Sequence, residues 1–298
     1  MFSLRYLVKS GALFARYPAT LPKLIDGLGV ASSHLNAKIN DDYRRRPKLI
    51  ARSNGVAICL DPSDRVHSPA FAMGCHEPEV TELFRRLLRK GMTVVDAGAH
   101  WGWYACLAAR IVGKTGRVLA FEPEPQNFSL LSKSVQVNEF KNVFSFNEAL
   151  GDRDGTITLS MGLENLGSHS TVRMLDGRSI NVSITRLDNK LSQLGIDKVD
   201  LLKVDVEGGE PEVILGCGEY LSGIPNIIIE YNPITWGANK QSLFRVLDGY
   251  EMYGEVRSPF LFKKVDVATL DSGFQAANLY FRKRGRRQQS SSSTIGGL

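Results

Sequence analysis

The sequence predicts an α/β protein built on a mostly parallel sheet with helices on both faces. Three observations carry this. From Thr93 onward, short apolar runs alternate with helical stretches, and strands alternating with helices form parallel sheets through crossovers. The first of these strands runs straight into a glycine-bearing loop, Asp96-Ala97-Gly98-Ala99-His100-Trp101-Gly102, and then into a helix. The composition, 43% hydrophobic and 23% charged over 298 residues, is that of an ordinary folded chain. It is long enough to bury a core without disulfide help.

At the N-terminus, Leu4, Leu7, Val8, Gly11, Ala12 and Ala15 recur at helical spacing, with Arg5, Lys9 and Arg16 on another face. Such a helix packs on the body of the protein or on a second copy, or lies on a membrane surface. Its basic residues interrupt every apolar run well short of the roughly 18–20 residues a bilayer span needs, and there is no cleavable leader pattern. The expected setting is therefore cytoplasmic, with peripheral membrane contact and a homodimer as open possibilities. The four cysteines are scattered singly and form no CxxC pair, which fits reduced thiols and opposes a zinc ribbon.

Lys48–Leu60 suits short strands, and Asp61-Pro62-Ser63-Asp64 is a turn. Glu79–Arg89 reads as a helix ended by Lys90-Gly91. Strands follow at Thr93–Asp96, Val118–Phe121 and Val143–Asn147, with helices at Trp103–Val112 and Asn127–Asn138 between them. Thr156–Ser160 and Asn181–Ile184 are strands without a long helix between. Leu201–Val206, a helix over Pro211–Leu215 and a strand at Asn226–Tyr231 resume the alternation. Three units result: an N-terminal segment (1–74) that packs on or caps the body, a ligand-binding domain (75–281), and a basic, serine-rich tail (282–298). Arg282, Lys283, Arg284, Arg286 and Arg287 carry most of the net charge of +6 and leave +1 for the rest. A nearly neutral body argues against a nucleic-acid groove.

The chemistry gathers at the ends of the central strands, where open parallel sheets bind ligands. Gly98 and Gly102 let the backbone turn and approach a ligand closely, and the helix beyond them offers unpaired N–H groups. Glu122 ends the next strand 20 residues after Gly102, placed to accept hydrogen bonds from a ribose diol. A dinucleotide loop would need a glycine where His100 stands. Asp96 repels a phosphate and suits a ligand bearing an ammonium, as S-adenosylmethionine does. Further along, Lys203, Asp205 and Glu207 alternate along one strand and so share a face. Lys203 and Asp205 suit an ion pair. Asp205 and Glu207 are expected beside the cofactor sulfur, Asp205 as a cofactor contact and both as candidate proton acceptors for a substrate hydroxyl.

The blocks Val94–Tyr104, Phe121–Phe128, Ala149–Asp152, Thr185–Asp188 and Val199–Gly208, in that order, resemble the FkbM family of S-adenosylmethionine-dependent methyltransferases. The resemblance covers roughly residues 75–232. It implies a class I methyltransferase fold with a seven-stranded sheet and an antiparallel last strand. It also implies that Gly98, Ala99 and Gly102, with Tyr104, border the methionine part of the cofactor. By the same resemblance Glu122 and Pro123 hold the ribose, and Glu148 and Ala149 face the adenine. His100 departs from the asparagine frequent in the family. The reaction implied is O-methylation of a hydroxyl on a sugar, glycan or natural product, without a metal ligand set. Asp205, Glu207 or His169 would serve as base, His169 lying in an insert with Asn165, Ser168 and Ser170. A non-catalytic nucleoside-binding module and an NAD-linked oxidoreductase are the competing readings.

Overall fold

The computed structural model describes residues 49–64, 68, 71, 76–161, 178–231, 236, 239–256, 261–266, 270 and 278–284. The N-terminal amphipathic stretch, the insert carrying Asn165, Ser168, His169 and Ser170, and the tail beyond Arg284 lie outside the described residues.

The described residues open with a hairpin of β1 (Ile50–Ser53) and β2 (Val56–Cys59), followed by α1 (Pro78–Leu87). The main sheet then starts with β3 (Thr93–Ala97), α2 (Trp103–Val112), β4 (Arg117–Phe121), α3 (Pro125–Val137) and β5 (Val143–Phe146). A side sheet follows, made of β6 (Ala149–Gly151), β7 (Gly155–Ser160) and β8 (Ser179–Arg186), and it leads into α4 (Leu187–Gln193). The chain returns through β9 (Leu201–Val204), α5 (Glu210–Leu215), β10 (Asn226–Glu230) and α6 (Asn239–Val246), and closes with β11 (Tyr250–Val256), β12 (Leu261–Lys264) and β13 (Asn278–Lys283).

The strand order of the main sheet is β5-β4-β3-β9-β10-β13-β11-β12. Strands β5, β4, β3, β9 and β10 are parallel, and β13 inserts antiparallel between β10 and β11. This is the class I methyltransferase arrangement expected from the sequence, with β12 added at the edge as an eighth strand. From β3 the chain winds outward through β4 and β5, then crosses back to β9 on the other side. The adjoining carboxyl ends of β3 and β9 therefore form the switch point, the place where such sheets hold ligands.

Both faces of the sheet are covered, which is why its central strands are apolar apart from Asp96 and Lys203 at the site. Val94, Val118, Ala120, Leu201 and Ile228 pack towards α1, α2 and α3. Val95, Ala97, Leu119, Phe121, Leu202, Val204 and Ile227 pack towards α4, α5 and α6. Helix α2 is buried from Trp103 to Ala109, as its all-round apolar sequence requires. Helix α3 starts where the Glu124 side chain accepts the Asn127 N–H at 2.6 Å, with Pro125 in its first turn.

Three details differ from the sequence expectation. The third strand stops at Phe146, because the Asn147 side chain donates to the Glu122 and Pro123 carbonyls (2.9 and 3.0 Å) and turns the chain. Ala149 therefore opens β6, paired parallel to β8, instead of closing β5. Strand β9 ends at Val204, two residues short. At the C-terminus β13 takes up Arg282 and Lys283, two residues of the basic run.

Candidate active site

The loop between β3 and α2 is built from backbone. Gly98 has φ 77°, and a Cβ there would lie 1.7 Å from the Asp205 carbonyl oxygen. Only glycine lets the loop pass so close to the end of β9. Gly102, at φ 89°, caps α2 against Leu131. The Gly98 and Ala99 amides both donate to the Phe121 carbonyl, at 3.0 and 2.9 Å. His100, in left-handed backbone at φ 49°, turns its N–H onto Glu122 Oε2 at 2.8 Å.

Glu122 is buried at the end of β4 and accepts the Glu124 N–H through its other oxygen, at 3.0 Å. Burial pushes its pKa up to about 7, against the pull of these two bonds. Each carboxylate oxygen has a second lone pair, so both can still accept from a diol. Asp96 is 1% exposed, and neither oxygen accepts a hydrogen bond of normal geometry. Burial raises its pKa to about 6, partly offset by Lys203.

The end of β9 is built from charge. Lys203 is 2% exposed. Its Nζ lies 2.9 Å from Asp205, 4.0 Å from Asp96 and 4.8 Å over the Tyr104 ring. Burial opposes the ammonium, yet Asp205, Asp96 and Glu77 together raise its pKa above the ordinary lysine value. Burial likewise opposes ionisation of Asp205, but Lys203 overrides it and holds the pKa below the usual range. Tyr104 donates its hydroxyl to Glu77 at 2.7 Å, and Asn278 donates to the same carboxylate at 3.2 Å. Burial and then the neighbouring Asp205 raise Glu77. The same two causes, with Glu207, Glu210 and Glu77 added, push Glu230 well above its ordinary value.

Asp205, Glu207 and Glu230 present carboxylate oxygens within 4.8 Å of one another. Burial and this crowding act together on Glu230, whose pKa rises, while Lys203 offsets the charge of Asp205. Glu207 does not reach this group as the next alternate residue of a strand. The strand has ended, and Glu207 adopts left-handed backbone (φ 58°) before Gly208. Buried Glu210 fixes that bend, accepting the Val206 and Gly208 amides at 3.1 and 3.0 Å and the Trp236 indole N–H at 3.1 Å.

One cavity joins these parts. Glu122, Pro123, Glu148 and Ala149 line it on the β4 side, His76, Glu77, Asp205, Glu207 and Glu230 on the β9 and β10 side, and Gly98 lies between them against the Asp205 carbonyl. Of the remaining residues expected at the site, Asp96, Ala99, Gly102 and Tyr104 are buried and support the lining, and His169 lies outside the described residues. Glu148 is ion-paired to Lys190 at 2.6 Å. His76, Glu77 and Glu230 are the residues the sequence reading missed. Glu230 left a signal, a lone charge closing the run Ile227-Ile228-Ile229. His76 and Glu77 left none, since only the tertiary fold carries the residues ahead of α1 to the end of β9.

The described lining contains carboxylates and histidines but no lysine or arginine. That lining, with the glycine cradle and the buried Asp96 carboxyl beneath it, fits a cationic nucleoside without phosphates. It does not fit the pyrophosphate of a dinucleotide.

Residues 96–283 match the family described as the methyltransferase FkbM domain. The chain is 28% identical over 176 residues to methyltransferase sdnD of Sordaria araneosa, covering 48% of this chain and 66% of that one. It is 26% identical over 183 residues to the 2-O-methyltransferase NoeI of Sinorhizobium fredii, covering 54% and 74%. With the hexuronic acid methyltransferase AglP of Haloferax volcanii it shares 22% over 180 residues, covering 60% and 71%. The chain spans just under two thirds of the length of the fungal relatives it matches.

Proposed function

Because the chain belongs to the FkbM methyltransferase family, we propose that it transfers a methyl group from S-adenosylmethionine to a hydroxyl oxygen of a sugar, glycan or natural-product acceptor. The observation that carries this reading is one cavity lined jointly by the β3–α2 glycine loop, Glu122 and the carboxylate end of β9. When bound, S-adenosylmethionine supplies an electrophilic methyl group on a sulfonium. Glu122 would hold the ribose hydroxyls, Pro123, Glu148 and Ala149 the adenine side, and the backbone of Gly98 and Ala99, capped by Gly102, the methionine side. Asp96, with Tyr104 behind it, supplies negative charge beneath that loop for an ammonium.

A hydroxyl is a weak nucleophile, and a positioned base assists it. Lys203 keeps Asp205 ionised, and Glu207 stands beside it on the cavity wall, so either takes the proton. The rest of the work is alignment and exclusion of water, which suits a displacement that consumes charge. The name of the Sinorhizobium relative, a 2-O-methyltransferase, supports oxygen as the methylated atom.

Calorimetry on the full chain should show S-adenosylhomocysteine binding and no binding of NAD; the reverse result would overturn the reading. Labelled methyl transfer to a panel of sugars and glycans then tests the reaction. Asp205→Asn and Glu207→Gln, made separately, test the base. Unchanged turnover in both would remove it from the proposal.

A further inference from the structure

The two ends of the cavity differ in what they would tolerate. At the Glu122 end the carboxylates are engaged by backbone amides or by Lys190. At the β9 end four carboxylates meet, and the described lining brings no cation to them except through His76. Lys203 balances Asp205 but presents no charge to the cavity itself. It is buried behind Asp205, at 2.9 Å, and is absent from the lining.

Two of the residues at this end come from outside the family domain, which begins at Asp96. Glu77 sits in left-handed backbone at φ 35° just ahead of α1, where a side chain is strained. Tyr104 and Asn278 hold its carboxylate against the main sheet. His76 packs its ring on Phe71 with centroids 4.2 Å apart, and its Nε2 lies 3.7 Å from Glu77. A strained glutamate, held by two side chains from distant elements and facing a cavity, is a built feature and not a solvated surface charge.

Resting on the methyl-transfer reading of the same cavity, we propose that its β9 end selects acceptors without negative charge, a neutral or amine-bearing sugar ring, and that His76 and Glu77 are this chain's own addition to that selection. Any anion entering here meets Asp205 and Glu207 at close range. It can be accepted only against their repulsion, because the one buried cation, Lys203, lies behind Asp205 and does not face the cavity. A hydroxyl or an ammonium instead donates to the same oxygens. Repulsion of the wrong acceptor sharpens specificity as much as attraction of the right one. A carboxylate acceptor would also need no base, and this wall offers two.

The test uses the full chain saturated with S-adenosylhomocysteine, titrated in turn with methyl glucoside, glucosamine and glucuronate, binding being followed by saturation-transfer NMR. At least one of the first two should bind tenfold or more tightly than glucuronate. Glu77→Gln should narrow that gap several-fold while leaving S-adenosylhomocysteine affinity within twofold. Glucuronate binding as well as the others, or no sugar binding at all, overturns the proposal. An unchanged gap in Glu77→Gln removes His76 and Glu77 from it. If that variant does not fold, Glu207→Gln, read for sugar binding alone, should narrow the gap likewise. Failure of S-adenosylhomocysteine to bind would refute the methyl-transfer reading instead, and the three sugars would then be ranked against the free chain.

Discussion

The two ends of the cavity hold their ligand-facing groups by opposite means. At the β3–β4 end, main-chain amides do the holding: Gly98 and Ala99 bind the Phe121 carbonyl, and His100 and Glu124 bind Glu122. At the β9–β10 end, one buried lysine stands against a group of crowded carboxylates. The first arrangement depends on local backbone geometry and tolerates a range of side chains around it. The second depends on charges that arrive from distant parts of the chain, and losing one exposes the rest. A backbone-built site suits a constant ligand, and a charge-built site suits a ligand that varies between relatives.

The sharpest way to break this contrast is Lys203→Met, which strips the charge-built end of its counter-ion. Breaking a buried pair by removing one partner costs about 3–5 kcal/mol, and Asp205→Asn in the same chain should recover part of it, as denaturant titration will show. The pH dependence has a definite sign. Lys203 is raised, so its contribution is present below the ordinary lysine value and is lost only as pH climbs through the higher folded one. Asp205 is lowered, so its contribution is present above the ordinary aspartate value and is lost as pH falls through the folded one. The pair should hold across neutrality and fail at both extremes.

Gly98→Ala is the matching break at the backbone-built end. The new Cβ meets the Asp205 carbonyl, and the positive φ adds strain. A loss of roughly 2–4 kcal/mol is expected, with S-adenosylhomocysteine affinity falling at least a hundredfold by calorimetry. A conservative exchange that keeps affinity would show that the loop does not need its close approach.

Glu122→Gln sharpens the comparison by removing a charge and keeping the shape. Hydrogen bonds to a charged group contribute about 1.5–3 kcal/mol, so affinity for S-adenosylhomocysteine should weaken ten- to a hundredfold. In the unaltered chain the affinity should decline as pH falls through about 7, where Glu122 takes up a proton, and the variant should lack that decline. The ligand-free protein behaves inversely: a raised carboxylate favours the folded state at acid pH and loses that advantage as pH rises through 7. The smallest effect belongs to Ser134→Ala, which removes the hydroxyl that accepts the Cys59 amide at 2.9 Å. About 1 kcal/mol of stability should be lost, with cofactor-site affinity unchanged.

The same contrast explains what the sequence disclosed. The glycine loop, the acid closing β4 and the alternation of strands and helices are local patterns, and their positions survive in the structure to within a residue or two. Helix α2 runs from Trp103 to Val112 as its pattern indicates. The Lys203–Asp205 pair was legible because both partners lie on one short strand and its extension. Glu148 was legible as a residue but not in its setting, because the turn made by Asn147 depends on carbonyls 24 and 25 residues earlier. Glu77 was invisible: its partners Tyr104 and Asn278 lie 27 and 201 residues away. Spacing rules read periodicity within an element, and no period connects residues that meet only after the sheet has closed.

The β1–β2 hairpin lies outside the family domain, yet it is stitched to α3. The Asn138 side chain gives and receives hydrogen bonds with the Ala57 backbone, at 2.6 and 2.8 Å, acting in place of another strand. The family-matching part of this chain is therefore not portable at Asp96, where the family match begins. A graft or excision starting at Asp96 would leave an amide with no backbone to imitate, a strip of α2 and α3 open to water, and a cavity missing one wall.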